Sequence, residues 1–122
     1  MTLLTGIDLM EIARIERAVT SRGERFLRRV YSHDELERYR GKPHSLAARF
    51  AAKEAVMKIL DNGNTWLRFR DIEVLSEPGG RPYIRLRGKA AVEAARLGIG
   101  QMSVSLSHSR EYAVASVVAA TD

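Results

Sequence analysis

Cysteine is absent from the sequence, which excludes a disulfide-held scaffold, a thiol nucleophile and a Cys-ligated zinc centre. Proline is scarce, at three residues, and no low-complexity stretch, long linker or internal repeat is found. No apolar run approaches the ~18 residues of a membrane-spanning helix. The opening MTLLTGID lacks both the basic region and the long apolar region of a secretion signal. A soluble cytoplasmic protein is the expectation, with no membrane contact. Also missing are HExxH, a Walker loop, GxGxxG and a serine elbow, so the chemistries those motifs signal lose their usual support.

What is present fits one domain over residues 1–122, in which 45% of residues are apolar and supply a core. The net charge of +5 favours anionic partners such as phosphorylated cofactors, acidic proteins or nucleic acid. Leu3 to Asp8 reads as a short buried strand. Ile12, Ile15 and Val19 then fall three and four apart, a helical stripe that Gly23 interrupts. Phe26, Leu27 and Val30 suggest a helical turn carrying Arg25, Arg28 and Arg29. Ser32 and Glu35 form the two ends of a capping box, and Gly41-Lys42-Pro43 stops its short helix. A longer Ala-rich helix follows, with Ser45 as its expected cap, and Asp61-Asn62-Gly63-Asn64 supplies its stop. Asp71–Glu77 and Tyr83–Arg87 read as strands of a hairpin, and Lys89–Leu97 as a helix ending at Gly98. Met102–Leu106 alternates, turns at Ser107–Arg110 and returns as the buried run Tyr112–Ala119. Helices followed by antiparallel hairpins predict an α+β fold.

Three segments carry candidate chemistry. Gly6-Ile7-Asp8 places a carboxylate where a strand hands over to a helix, a position at which such a group most simply caps free N–H groups. Glu54 and Lys58 lie four apart on one helix face, the spacing of an ordinary surface ion pair. Ala47 and Ala51 continue that face, however, and small side chains admit a ligand or another chain segment beside the pair. A carboxylate there can hold a metal while the ammonium binds phosphate. Ser107-His108-Ser109 forms a hydroxyl-rich hairpin tip, either a plain polar turn or a place where His108 meets phosphate or moves a proton. His33 and His44 have weaker claims. Arg14, Arg17, Arg22 and Arg25 belong to a local basic excess around the first helix, either a solvated face or a docking face.

In this order the segments resemble the short bacterial holo-acyl-carrier-protein synthases of the 4′-phosphopantetheinyl transferase superfamily. Gly6-Ile7-Asp8-Leu9-Met10-Glu11-Ile12 resembles their N-terminal G-x-D motif, and Phe50–Lys58 matches F/W-A-x-K-E-x-x-x-K at every specified position. Asp71–Val74, the Gly80-Arg81-Pro82 turn and Ser105–Ser109 are similar as well, so the resemblance spans nearly the whole chain. It implies the 4′-phosphopantetheinyl transferase fold, an N-terminal strand and helices followed by antiparallel hairpins. It also implies transfer of the phosphopantetheine arm of coenzyme A to a serine of apo acyl carrier protein, releasing adenosine 3′,5′-bisphosphate, a step of fatty acid biosynthesis. Asp8 and Glu54 would then bind Mg²⁺, and Glu54 and Lys58 would be catalytic. Lys58, Ser107 and His108 would contact coenzyme A. Arg14, Arg17, Arg22 and Arg25 would dock the carrier protein, and the chain would form homotrimers with sites between protomers. One departure stands out. The small Gly-Thr/Ser-Gly loop that often follows the last motif lysine is matched here only by Gly63 and Thr65.

Two other readings compete. A small basic nucleic-acid-binding protein explains the charge but gives Asp8, Glu54 and Lys58 no joint role, and Phe26 and Tyr31 are the only aromatics near the Arg cluster. A catalytically silent relative that only binds coenzyme A or oligomerises is opposed by those same three intact residues.

Overall fold

A ten-residue segment that alternates buried and exposed side chains makes the first strand, β1 (Thr2–Glu11), in a computed structural model that describes residues 1–60 and 66–122. Helices α1 (Ile12–Arg22), α2 (Glu24–Val30), α3 (His33–Tyr39) and α4 (Pro43–Leu60) follow. A 3₁₀ turn at Phe69–Asp71 leads into β2 (Ile72–Ser76) and β3 (Pro82–Leu86), then α5 (Gly88–Arg96), β4 (Ile99–His108) and β5 (Tyr112–Thr121). The fold is α+β, as the order of the patterns predicts. The stop and loop read at Asp61–Asn64, and the Gly63 and Thr65 match, lie outside the described residues.

β5 is the middle strand of an antiparallel three-stranded sheet in the order β1–β5–β4, and β2 and β3 form a separate hairpin. The β1–β5 register runs from Thr2 opposite Thr121 to Glu11 opposite Tyr112, so the two ends of the chain share one ladder. Gly6 and Met10 are buried on the face toward α4. Leu3, Ile7 and Leu9 point the other way and are 60%, 62% and 59% exposed. The expectation of a wholly buried first strand is therefore corrected, because only one face of β1 has a helix against it.

α4 packs on β1 and β5. Its buried residues fall on most of its circumference, including Ala47, Ala48, Ala51, Ala52, Ala55 and Val56. A helix enclosed on most sides is apolar most of the way round, and alanine keeps its neighbours close. The closest approach is at Gly6, where a Cβ would sit 2.2 Å from the carbonyl oxygen of Ala55. Only a residue without a side chain fits between strand and helix there. Ser45 lies inside α4, which begins at Pro43. Proline's fixed φ and missing N–H suit the first helical position, so the expected cap at Ser45 is corrected. The capping box at Ser32 and Glu35 is present in both its bonds.

The β2–β3 hairpin carries a charged cluster. Glu73 is buried and accepts from Arg85 Nε at 2.8 Å and Arg87 Nε at 2.6 Å, while Arg85 also reaches Asp34 at 2.9 Å. Burial pushes the Glu73 carboxyl up, but bonds from Arg85, Ser32 and Arg87 outweigh it and hold the group down at about 2.

Gly6→Ala should cost at least about 2 kcal/mol, because the added methyl overlaps helix backbone that cannot turn aside. A thermal melt unchanged from wild type would show that the contact relaxes freely. The depressed Glu73 carboxyl sets a pH dependence. Its contribution is complete above the ordinary value of 4.5 and disappears as pH falls toward about 2. Urea midpoints measured from pH 7 to pH 2 should decline less steeply across that window in Glu73→Gln than in wild type, from a lower starting stability. Parallel curves would remove Glu73 from the acid response.

Candidate functional site

Even-numbered positions of β1 face α4, so Asp8 is carried to the helix two residues beyond the Gly6 contact. The contact, with Ala55 and Ile59, fixes the spacing between strand and helix, and Glu54 and Lys58, the residues just before these two, come alongside Asp8. Lys58 Nζ donates to Asp8 Oδ1 at 3.0 Å and to the Ile7 carbonyl at 2.8 Å. Asp8 therefore does not cap a helix. β1 continues to Glu11, which is the residue preceding α1 and makes no side-chain capping bond. Nor does Lys58 serve as the partner in a plain i,i+4 pair, since its ammonium lies against β1 instead.

Asp8 is mostly covered, with 16% of its side chain exposed, whereas Lys58 keeps 56%. Glu54 is half-buried. Its carboxyl is pushed up from the ordinary range, first by burial and then by the negative charge of Asp8, against the opposing pull of Lys58 and Arg14. The site thus joins two mutually repelling carboxylates on a strand and a helix, with two cations nearby. All its anionic donors are oxygen. That donor set suits a hard divalent cation, which takes one or two carboxylates and fills its remaining positions with phosphate oxygens and water.

The basic residues around α1 are exposed. Arg14, Arg17 and Arg22 line a cavity of about 340 Å³ floored by Met10, Ile15 and Phe26. Arg25 lies on the neighbouring surface with Arg22 and Arg29 around a second hollow of about 400 Å³. The basic helix face and the Asp8–Glu54 pair meet at Arg14, which both lines the first cavity and acts on the Glu54 charge.

Ser107 and His108 lie elsewhere. They are the last two residues of β4, so the turn begins two residues later than the pattern suggests, at Ser109. They line a cavity of about 340 Å³ with His44, Ser45, Arg49 and Ser76. The His44 and His108 rings lie 4.9 Å apart. Arg49 is buried, donates to the Val74 carbonyl at 3.0 Å and to Ser76 Oγ at 2.9 Å, and lies 3.6 Å over the Tyr39 ring. Among the described residues no carboxylate bonds to it. A guanidinium held by neutral oxygens and facing a cavity with two imidazoles makes a site for an anion. Sequence reasoning found His108 but missed Arg49, because a single arginine in an Ala-rich helix gives no sign of what it faces.

The two groups occupy opposite flanks of the sheet. Asp8 stands on β1 opposite Ala115 of β5, and His108 stands on β4 opposite Ala113 of the same strand. β5 runs between them, a separation of about 10 Å across two strand spacings, and α4 packs on that middle strand. Among the described residues, His33, Asp34 and Glu37 also bring potential ligand atoms within 4.8 Å of one another. Asp34 is already bonded to Arg85, and His33 lies 3.6 Å from Glu37. No helix among the described residues is long and apolar enough to cross a membrane.

The profile of the 4′-phosphopantetheinyl transferase superfamily matches residues 5–117. A holo-[acyl-carrier-protein] synthase of Dehalococcoides mccartyi is 50% identical over 117 residues, covering 96% of this chain and 98% of its own. One from Herpetosiphon aurantiacus is 47% identical over 123 residues, covering 95% and 97%. The crystal structure of Helicobacter pylori holo-[acyl-carrier-protein] synthase in complex with coenzyme A superposes with a TM-score of 0.85 at 36% identity, covering 96% of this chain and all of that one.

Proposed function

The chain belongs to the 4′-phosphopantetheinyl transferase superfamily, and from that membership we infer that it converts apo acyl carrier protein to the holo form. It transfers the phosphopantetheine arm of coenzyme A to a carrier-protein serine, as the names of its relatives and the coenzyme A complex of one of them support. The observation that carries the reading at the level of residues is the meeting of Asp8, Glu54 and Lys58 between β1 and α4.

The serine oxygen attacks the β-phosphorus of the coenzyme A pyrophosphate. The bond to the bridging oxygen on the adenosine side breaks, and adenosine 3′,5′-bisphosphate departs. Asp8 and Glu54 are the residues to hold Mg²⁺, an assignment supported by their all-oxygen donor set and by the repulsion that lifts Glu54. When bound there, the ion neutralises charge on the pyrophosphate. Lys58 adds an ammonium to the leaving phosphate, its half-exposed tip being free to leave Asp8. Glu54 is one candidate acceptor of the serine proton, directly or through water; a carboxylate engaged with a cation is a weaker base, and a water at the same site is the other candidate. Arg14, Arg17, Arg22 and Arg25 offer an acidic carrier protein a basic surface that ends at the site, which supports their docking role.

Ser107 and His108, with Arg49, are assigned to a phosphate of coenzyme A. Their place across β5 from Asp8 supports a site built from two chains, with one protomer supplying the carboxylates and its neighbour the histidine. The exposed apolar face of the sheet, Leu3, Ile7, Leu9, Tyr112 and Val118, suits burial against other copies of the chain, in keeping with the homotrimer that the family resemblance implies. Cytoplasmic fatty acid synthesis is the setting proposed for the reaction.

Intact-mass spectrometry of apo acyl carrier protein incubated with this chain, coenzyme A and Mg²⁺ should show a gain of ~340 Da, one phosphopantetheine, that EDTA abolishes. Asp8→Ala and Glu54→Ala should each lower the rate at least about a hundredfold while leaving the thermal melt intact. Full activity in either variant would sink the metal assignment. A shared site predicts complementation as well. Co-expressing Asp8→Ala with His108→Ala chains should restore part of the activity that each lacks alone, and strict additivity of the two residual rates would place all the residues in one chain.

A further inference from the structure

The residue before Glu54 points into the protein and is fully buried. Lys53 and Glu35 both have fully buried side chains and meet at 2.7 Å. Lys53 Nζ also donates to the Phe69 carbonyl at 3.0 Å and to the Ile72 carbonyl at 2.5 Å. Burial pulls the ammonium toward neutrality and Glu35 acts against it. Glu35 holds two further groups, accepting from Ser32 N at 2.9 Å through Oε1 and from Val74 N at 2.8 Å through Oε2. One carboxylate therefore completes the cap of α3, pins β2 and anchors the middle of α4.

We propose that the Lys53–Glu35 pair is a positioning device for the catalytic carboxylate, setting the rotation of α4 about its axis so that Glu54 stands opposite Asp8. This rests on the functional reading given above. Ammonium and carboxylate side chains on consecutive residues diverge by about 100° around the helix. A rotation of about 20° would sweep a carboxylate lying ~6 Å from the axis through about 2 Å, well beyond the ~0.5 Å within which a catalytic group must be held. On the strand side, the Gly6 contact fixes how close α4 lies and the bonds to Ile7 and Asp8 come from the half-exposed Lys58 ammonium, so that side supplies no buried directional bond to oppose that rotation. The three bonds of Lys53 do supply one. A buried ion pair is weak evidence for net stability, and a positioning role accounts for one at this place in the helix.

The test compares Lys53→Met and Glu35→Gln with wild type at a temperature where circular dichroism shows each variant folded; the second variant serves if the first does not fold. Two quantities are read, kcat with apo carrier protein and the affinity for Mn²⁺ alone, followed by electron paramagnetic resonance of the free ion. The expected result is a kcat at least tenfold lower and Mn²⁺ binding at least threefold weaker in folded protein. A lowered melting temperature with both quantities unchanged would make the pair merely structural and overturn the proposal. Failure of wild type to modify the carrier protein would refute the functional reading, and the Mn²⁺ comparison would still decide the positioning role. Failure of wild type to bind Mn²⁺ would overturn it too.

Discussion

The separation between β1 and α4 at Gly6 governs what else the molecule can do. Strand backbone and helix backbone meet there with no side chain between them, which brings the short Asp8 side chain within reach of α4. A larger residue at position 6 would raise the helix and open the space between the carboxylates. The alanines at 47, 51 and 55 extend the same economy of volume along the helix. Packing of this kind is steric and non-directional, so it defines a distance and leaves orientation to polar bonds, those of Lys53 and Arg49 on the far side of the helix and that of Lys58 to β1.

Charge is distributed in keeping with that division. The fully buried charges, Lys53 and Glu35, are matched to each other and to backbone groups, and the buried Glu73 is matched to two arginines. The charges left incompletely matched all face open space. Glu54 has its carboxyl raised beside Asp8, and Arg49 is held only by neutral oxygens. Unbalanced charge in the folded chain thus coincides with the places where a cation and a phosphorylated ligand are expected. The desolvation of these groups is a cost in stability.

Much of this was legible in the sequence. The helical stripe of α1, the capping box of α3 and the alternation of β4 are local patterns whose period survives folding. The motif residues Asp8, Glu54 and Lys58 were legible as a set through their order, although spacing alone suggested a helix cap and a surface ion pair. What the sequence withheld depends on contacts between distant segments. Nothing local says that Glu35 will meet a lysine eighteen residues later, or that this lysine turns inward while its neighbour turns toward β1. The exposed face of β1 was missed for a related reason. A short apolar run does not reveal whether one or both faces will find a cover.

The pairing of β1 with β5 has a consequence for how the molecule comes into being. Thr2 is matched with Thr121, so β1 has no partner in its ladder until β5, far along the chain, has been made. Because β5 is the central strand, neither edge of the sheet can close before then. Helices α1 to α4 can condense earlier through contacts near in sequence, whereas the ladder that carries Asp8 must wait for a loop spanning almost the whole chain to close. A nascent chain in which β5 is not yet made can hold Glu54 and Lys58 on α4 but has no paired sheet on which to present Asp8. Asp8, carried on a strand that comes early in the chain, is thus among the last groups to be put in place.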